Sequence, residues 1–115
     1  MQTNQIKTPW YAFYEGVSAH LEYPREMSLY EFMERRTMPF MNNYCYDYFG
    51  RKATYAQLHR DIQTCADAFL RLGVRCGDRV SICMPNTPEA VISFYALNKI
   101  GVVANMMHPL SAAVE

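Results

Sequence analysis

From residue 54 onward the apolar positions fall into regular runs. Leu58, Ile62, Cys65, Ala66, Phe69 and Leu72 recur at i, i+4, i+7, i+8, i+11 and i+14, the repeat of one helix face, while His59, Arg60, Gln63, Asp67 and Arg71 fill the opposite side. Thr54 and Gln57 have capping-box spacing ahead of this run, and Gly73 suits the left-handed position past its last turn. Val74 to Asp78 then carries Gly77 for a tight loop. Arg79 to Met84 reads as a short apolar strand, and Thr87, Pro88 and Glu89 supply an N-cap, a proline at the first helical position and a first-turn acid. The helix they open is apolar almost all round (Ala90, Val91, Ile92, Phe94, Tyr95, Ala96, Leu97, Ile100) and closes at Gly101 before a second apolar strand, Val102 to Met107. A crossover helix without a polar face is expected where a sheet covers one side and another layer the other. Residues 79–107 therefore predict one right-handed parallel βαβ unit.

Upstream the pattern is weaker. Ser28 and Glu31 form a capping box for a short amphipathic helix over 29–37, which Pro39 should end near Met38. Asn43 to Phe49 alternates, with Tyr44, Tyr46 and Tyr48 on one face and Cys45, Asp47 and Phe49 on the other. Gly50-Arg51 then offers a two-residue turn that returns through Lys52 and Ala53. Residues 1–27 hold Trp10, Tyr11, Phe13, Tyr14 and Tyr23 without a period of 2 or 3.6, and read as an irregular aromatic arm lying on a surface by its rings. The chain thus predicts an α/β domain with a small hairpin over 28–115, preceded by that arm.

Composition narrows the partners. The chain has 115 residues, 50% of them hydrophobic and 14% aromatic, which is one domain with a core of its own rather than a disordered segment. Eleven basic residues balance 11 acidic ones, so no field is available to hold a nucleic acid or an anionic membrane surface. The three strand tyrosines accordingly read as a half-buried strand and not as a platform for bases. Residues 1–10 lack the apolar core of a signal peptide and no stretch is long and apolar enough to span a membrane, which points to the cytoplasm. Cys45, Cys65, Cys76 and Cys83 show no C-x-x-C pair and no zinc spacing; Cys65 and Cys83 lie among apolar residues, so buried free thiols are expected.

Candidate chemistry is sparse. The loop after the first βαβ strand, Pro85-Asn86-Thr87-Pro88, lacks the glycines that let backbone amides approach phosphates, and there is no G-x-G-x-x-G, G-x-x-x-x-G-K or G-x-S-x-G. His20, His59 and His108 are not brought together by any spacing and read as solvated or structural. Asp78 follows from turn chemistry, Asp47 from a strand face, and Asn98 and Lys99 from the negative end of a helix. His108-Pro109-Leu110-Ser111 is the one stretch open to function, because it follows the carboxyl end of a parallel strand.

The order of these residues is familiar. Thr54-Tyr55-x-x-Leu58, Ala66 and Leu70 lead to Leu72-Gly73-Val74-x-x-Gly77-Asp78-Arg79-Val80, followed by Met84-Pro85-Asn86-Thr87-Pro88-Glu89 and Ala96-Leu97-x-x-Ile100-Gly101. Over residues 28–115 this resembles the N-terminal region of the adenylate-forming enzymes, the acyl-CoA synthetase, luciferase and peptide-synthetase adenylation superfamily. Gly16-Val17, Tyr23-Pro24, Ser28-Leu29-Tyr30 and His108-Pro109-Leu110-Ser111 look most like the fatty-acyl and aryl-acyl CoA ligases. The resemblance implies a parent enzyme that uses ATP and Mg2+ to convert a carboxylic acid to its acyl-adenylate and then passes the acyl group to coenzyme A. It also implies a Thr/Ser/Gly-rich phosphate loop ending in Lys-Gly, an acid for the ribose and a lysine on a mobile C-terminal domain. None of these matches a position here, so no catalytic, cofactor-binding or metal-binding residue is assigned, and the chain by itself is expected to need no cofactor and to be inactive scaffold. Two other readings stay open: the first part of an adenylation domain that loads a carrier protein, and a self-contained α/β interaction module using its aromatic arm or hairpin.

Ser111 to Glu115 reads as the first turn of a further helix, so the expectation is a truncated domain with uncovered sheet edges and apolar surface. The isolated chain is predicted to self-associate. Light scattering at high protein concentration checks this, and a monodisperse monomer counts against it.

Overall fold

The computed structural model describes residues 9–14, 16 and 26–110. After a 3-10 turn, Pro9–Phe13, the elements are α1 (Leu29–Thr37), a second 3-10 turn (Met38–Phe40), β1 (Tyr44–Tyr48), β2 (Arg51–Thr54), α2 (Tyr55–Arg71), β3 (Arg79–Cys83), α3 (Pro88–Lys99) and β4 (Val103–Met107). β1 and β2 form an antiparallel hairpin, and β3 and β4 a parallel pair in the register Arg79↔Val103 to Cys83↔Met107. This is the α/β fold expected, with α3 as the crossover.

α3 lies between two apolar clusters. On the sheet side Ala90 and Leu97 pack with Ile82 and Val102; on the other, Ala96 packs with Leu58, Ile62 and Ala66 of α2 and Tyr30 of α1. Ile62 and Leu97 are fully buried, and truncating either to alanine costs about 2–5 kcal/mol by lost transfer energy and cavity formation. Among the residues of α3 only Glu89 and Val91 are exposed, which explains its lack of a polar stripe.

The helix ends are built from local chemistry. Ser28 accepts from the Glu31 amide while Glu31 accepts from the Ser28 amide, a complete capping box. At α2 only half of the expected box forms. Thr54 Oγ1 accepts from the Gln57 amide, but the Gln57 side chain donates forward to Asp61 at 2.8 Å. The amides of Tyr55 and Ala56, at the start of α2, donate to the carbonyls of Asn43 and Met41, which fixes the hairpin on the helix. Both long helices end alike. The amides of Gly73 and Val74 return to Leu70 and Phe69, and those of Gly101 and Val102 to Asn98 and Leu97, each closing a Schellman motif. In these motifs Val74 and Val102 supply the apolar contact, so Leu72, expected on the buried face, is a cap residue and 80% exposed.

Other expectations need correction. α1 ends at Thr37 with Met38 as its C-cap, as expected, but not because Pro39 forbids helical geometry before it: Met38 is itself αR and a 3-10 turn follows with Pro39 in its first positions. The hairpin turn is Phe49-Gly50, one residue earlier than expected, with φ of 49° and 86°. Both central residues are left-handed, as a type I′ turn requires, and Phe49 meets that demand with its ring against Tyr48 and the Asp47 carboxylate accepting from the Gly50 amide. A register shift between Tyr44 and Tyr46 takes Cys45 and Tyr44 out of simple alternation. The four thiols are free as expected, but only Cys45 and Cys65 are partly buried; Cys76 and Cys83 are exposed, Cys83 because it points to the sheet face that α3 does not cover. Along the arm, Trp10 packs on Tyr11 and Tyr11 on Tyr14, and none of the residues of that turn is buried, so the described rings lie on one another and not on a core.

Two consequences are measurable. A Cβ at Gly101 would sit 2.7 Å from Cys76 Sγ at φ +74°, whereas a Cβ at Gly73, φ +91°, would meet nothing. Gly73→Ala should cost about 1–2 kcal/mol in urea unfolding, the left-handed backbone alone, and Gly101→Ala more. Adding Cys76→Ala to Gly101→Ala should remove that excess. Second, Arg51 of the hairpin pairs with Glu89 of α3 at 2.6 Å and holds the Glu89 carboxyl below its ordinary 4.5. Its contribution is therefore present above pH 4.5 and lost as pH falls through the depressed value. NMR titration should place the Glu89 midpoint below 4.5, and Arg51→Ala or high salt should raise it.

Candidate functional site

Parallel strands place their carboxyl ends together, and here those ends open into two adjoining clefts. One, of about 620 Å³, is lined by Met84, Pro85, Asn86, Met107, His108 and Leu110. The other, of about 650 Å³, runs between α1, the hairpin and the start of α3 and is walled by Met33, Tyr46, Tyr55, Phe94 and Tyr95. Asn86 and Met106 line both clefts and mark their junction. The walls are mainly apolar, with Asn86, Thr87, Asp47 and His108 among the polar lining residues.

Of the three histidines weighed from sequence, His108 lines the smaller cleft, while Asp47 and Cys45 line the larger one. The Nδ1 of His108 accepts from the Leu110 amide at 3.2 Å, so the neutral ring carries its proton on Nε2 and presents a donor. His20 and Ser111 to Glu115 lie outside the described residues. Asp78 accepts from the Arg75 amide at 2.7 Å, and Asp47 accepts from Gly50 and stands 3.7 Å from Lys52; both do turn work, as expected. Burial pushes the Cys45 and Cys65 thiols up from their ordinary value, which leaves them protonated and unreactive at neutral pH.

The structure gives Asn98, Lys99 and His59 work that their positions did not suggest. Asn98 Oδ1 accepts from the Tyr30 amide at 2.7 Å, and Lys99 donates to the Tyr30 hydroxyl at 3.0 Å, which in turn donates to Glu34. These are clamps on α1 rather than complements to a helix dipole. His59, expected on a solvated face, is part-buried beneath α1, with Nε2 2.9 Å from Thr37 Oγ1.

The loop before α3 is a poor host for the phosphates of a nucleotide. Thr87 Oγ1 already takes the Ala90 amide, Pro88 has no amide hydrogen, and Glu89 puts a carboxylate in the first turn. Among the described residues no three His, Cys, Asp or Glu side chains are grouped as a metal ion would need. Among the described residues, the loop before α3 therefore does not fit ATP phosphates and no grouping fits Mg2+, while the clefts offer apolar contact with His108, Asn86 and tyrosines in their lining. Sequence reasoning missed Asn86 and Met106 as the junction of the clefts; their position at the ends of the two strands was the available signal. It also missed Arg51 with Glu89, for which 38 residues of separation leave none. No described helix is long and apolar enough to cross a membrane.

Comparison with known proteins gives a consistent picture. Residues 33–115 match the AMP-binding enzyme family. The chain is 43% identical over 58 residues to the acetyl-coenzyme A synthetase of Penicillium chrysogenum, which covers 50% of this chain and 9% of that protein. It is 41% identical over 64 residues to the long-chain-fatty-acid–CoA ligase FadD13 of Mycobacterium tuberculosis, covering 56% of this chain and 13% of that protein. The N-terminal domain of FACL13 from Mycobacterium tuberculosis superposes with a TM-score of 0.69 at 33% identity, over 76% of this chain and 23% of that one. The anthranilate CoA ligase AuaEII, solved with anthranoyl-AMP, superposes with a TM-score of 0.71 at 25% identity, over 77% of this chain and 17% of that one. The chain thus spans about a tenth of the length of the curated relatives it matches. Matched across most of its ordered elements, it belongs to the AMP-binding enzyme family, whose relatives here are acyl-CoA ligases.

Proposed function

We propose that this chain is the opening scaffold of an acid–thiol ligase that joins a fatty or aryl carboxylic acid to coenzyme A. In that reaction a carboxylate oxygen attacks the α-phosphorus of ATP and releases pyrophosphate. The thiol of coenzyme A then attacks the acyl carbonyl and releases AMP. The observation that carries the reading is the family match over residues 33–115, and the similar proteins acting on acetate, long-chain fatty acids and anthranilate support the acid–CoA class. The part we assign to these residues is mechanical. α3, held between the two clusters, carries the strand ends and the Pro85–Pro88 loop to one side of the sheet, where other parts of such an enzyme can be seated. The charge that develops on a transferring phosphoryl group needs positioned donors and a metal, and the capped α3 terminus supplies neither, which supports an inactive scaffold.

The test compares the full-length protein with the 115-residue chain. With ATP, Mg2+ and a panel of fatty and aryl acids, the full-length protein should exchange labelled pyrophosphate into ATP and form a thioester only when CoA is added. The short chain should do neither. Failure of exchange with every acid overturns the ligase reading, thioester formation on a carrier protein but not on CoA redirects it to an adenylation domain, and turnover by the pure short chain overturns the scaffold role.

A further inference from the structure

The underside of α1 carries a proton-sensitive contact that belongs to neither cleft's chemistry. Thr37 Oγ1 donates its single hydrogen to backbone carbonyls of its own helix, Met33 O at 2.9 Å and Glu34 O at 3.2 Å. It therefore meets His59 Nε2, at 2.9 Å, as an acceptor, and the ring must hold its proton on Nε2. The other nitrogen, Nδ1, is then a bare lone pair. It is buried and has no partner among the described residues.

A second proton on this ring can enter only at Nδ1, where it would create a buried N–H with no acceptor, at the cost of an unsatisfied charged donor. The groups around the ring are Tyr30 and Glu34 from α1 and Lys99 from α3. The Tyr30 ring stands edge-on with centroids 6.2 Å apart; burial disfavours the imidazolium most, the Glu34 charge favours it, and the Lys99 charge opposes it. Glu34 Oε1 accepts from the Tyr30 hydroxyl at 2.8 Å, and that hydroxyl also receives Lys99; in this arrangement the carboxylate makes no hydrogen bond to Nδ1.

We propose that His59 is an acid-sensitive latch on α1: neutral, it fastens the helix through Thr37, and protonated at Nδ1 it lets the helix lift from α2 and α3. The consequence reaches the larger cleft, because Met33 and Thr37 of α1 form part of its wall. Lifting α1 opens that cleft from the side. The sign follows from linkage. With α1 released the ring titrates near its ordinary 6.5, and with α1 docked it titrates lower. Docking is thus fully present above pH 6.5 and is lost as pH falls from there toward the docked-state value, by up to about tenfold per pH unit for one proton. This inference is independent of the ligase reading, since it concerns one helix and no substrate.

Amide hydrogen exchange on the 115-residue chain, corrected for intrinsic rates, tests it. Between pH 7.5 and 5.5 the amides of residues 32–37 should lose protection by up to about tenfold, while those of α3 and β3 hold theirs. In His59→Gln, whose side-chain amide can still donate to Thr37, protection of α1 should become independent of pH. Unchanged protection of α1 in the unaltered chain overturns the latch, and so does an equal loss in His59→Gln. Should that variant fail to fold, NMR titration of His59 in the unaltered chain decides. A midpoint below 6.5 that tracks α1 exchange supports the latch, and a midpoint at or above 6.5 overturns it.

Discussion

The structure depends on burying α3 on two sides at once. A helix of 12 residues is marginal alone in water, and this one gains its stability from Leu97 and Ala90 against the sheet and Ala96 against α2. Because both clusters meet on it, the two ends of α3 decide how every neighbour is placed. At its start Thr87 and Pro88 fix the exit from β3; at its end Gly101 turns left-handed so that Val102 can fold back on Leu97 and deliver β4 into register with β3. Close approach has a further role there, since the Gly77 amide donates to the Gly101 carbonyl with the Cys76 thiol against the glycine face.

Around that helix the layers are held by contacts of different kinds. α2 is attached mainly by apolar packing, as its periodic Leu58, Ile62 and Ala66 demand. α1 is short, and buries little beyond Tyr30 and Thr37, so polar contacts fasten it: Asn98 to the Tyr30 amide, Lys99 to the Tyr30 hydroxyl and His59 to Thr37. Burial pushes the Tyr30 hydroxyl above its ordinary value, against the pull of Lys99, so it remains a protonated donor to Glu34 at neutral pH. Such contacts carry direction and proton dependence that apolar packing lacks. The least apolar of the three α-helices is thus also the one whose attachment can respond to conditions.

Most of the fold was legible in sequence because its signals are local. The 29–37 helix, the Thr54 cap, the Thr87-Pro88 start and the two glycine stops are each set by residues within a few positions, and all appear in the structure. The misses share the opposite cause. A glycine-first turn puts the hairpin one residue late, because strand twist selects a turn with both residues left-handed and Phe49 tolerates the position. Gln57 leaves the capping box for Asp61, one turn on along the same helix, a competition that box spacing alone does not reveal. The site was less legible still. His108 could be flagged from its place after a strand, but the tasks of His59, Asn98 and Lys99 depend on where α1 lands, and Asn98 and Tyr30 are 68 residues apart.

Sheet geometry sets which surface the described elements leave uncovered. Parallel strands, linked by crossover helices, are characteristically covered on both faces, but among the described residues α3 covers only one face of β3 and β4, and these strands pair only with each other. Alternation sends Arg79, Ser81 and Cys83 of β3, with Val103, Asn105 and Met107 of β4, to the other side. Val103 is 54% exposed there and Met107 47%, flanking a hydrogen bond between Asn105 and Ser81. A solvent face would be expected to alternate polar residues throughout; this one places apolar side chains beside unpaired strand edges, and such a surface gains free energy from any cover that supplies apolar contact and backbone partners. α3 thus has an apolar cluster on each side, while the sheet face away from it keeps Val103 and Met107 exposed among the described residues.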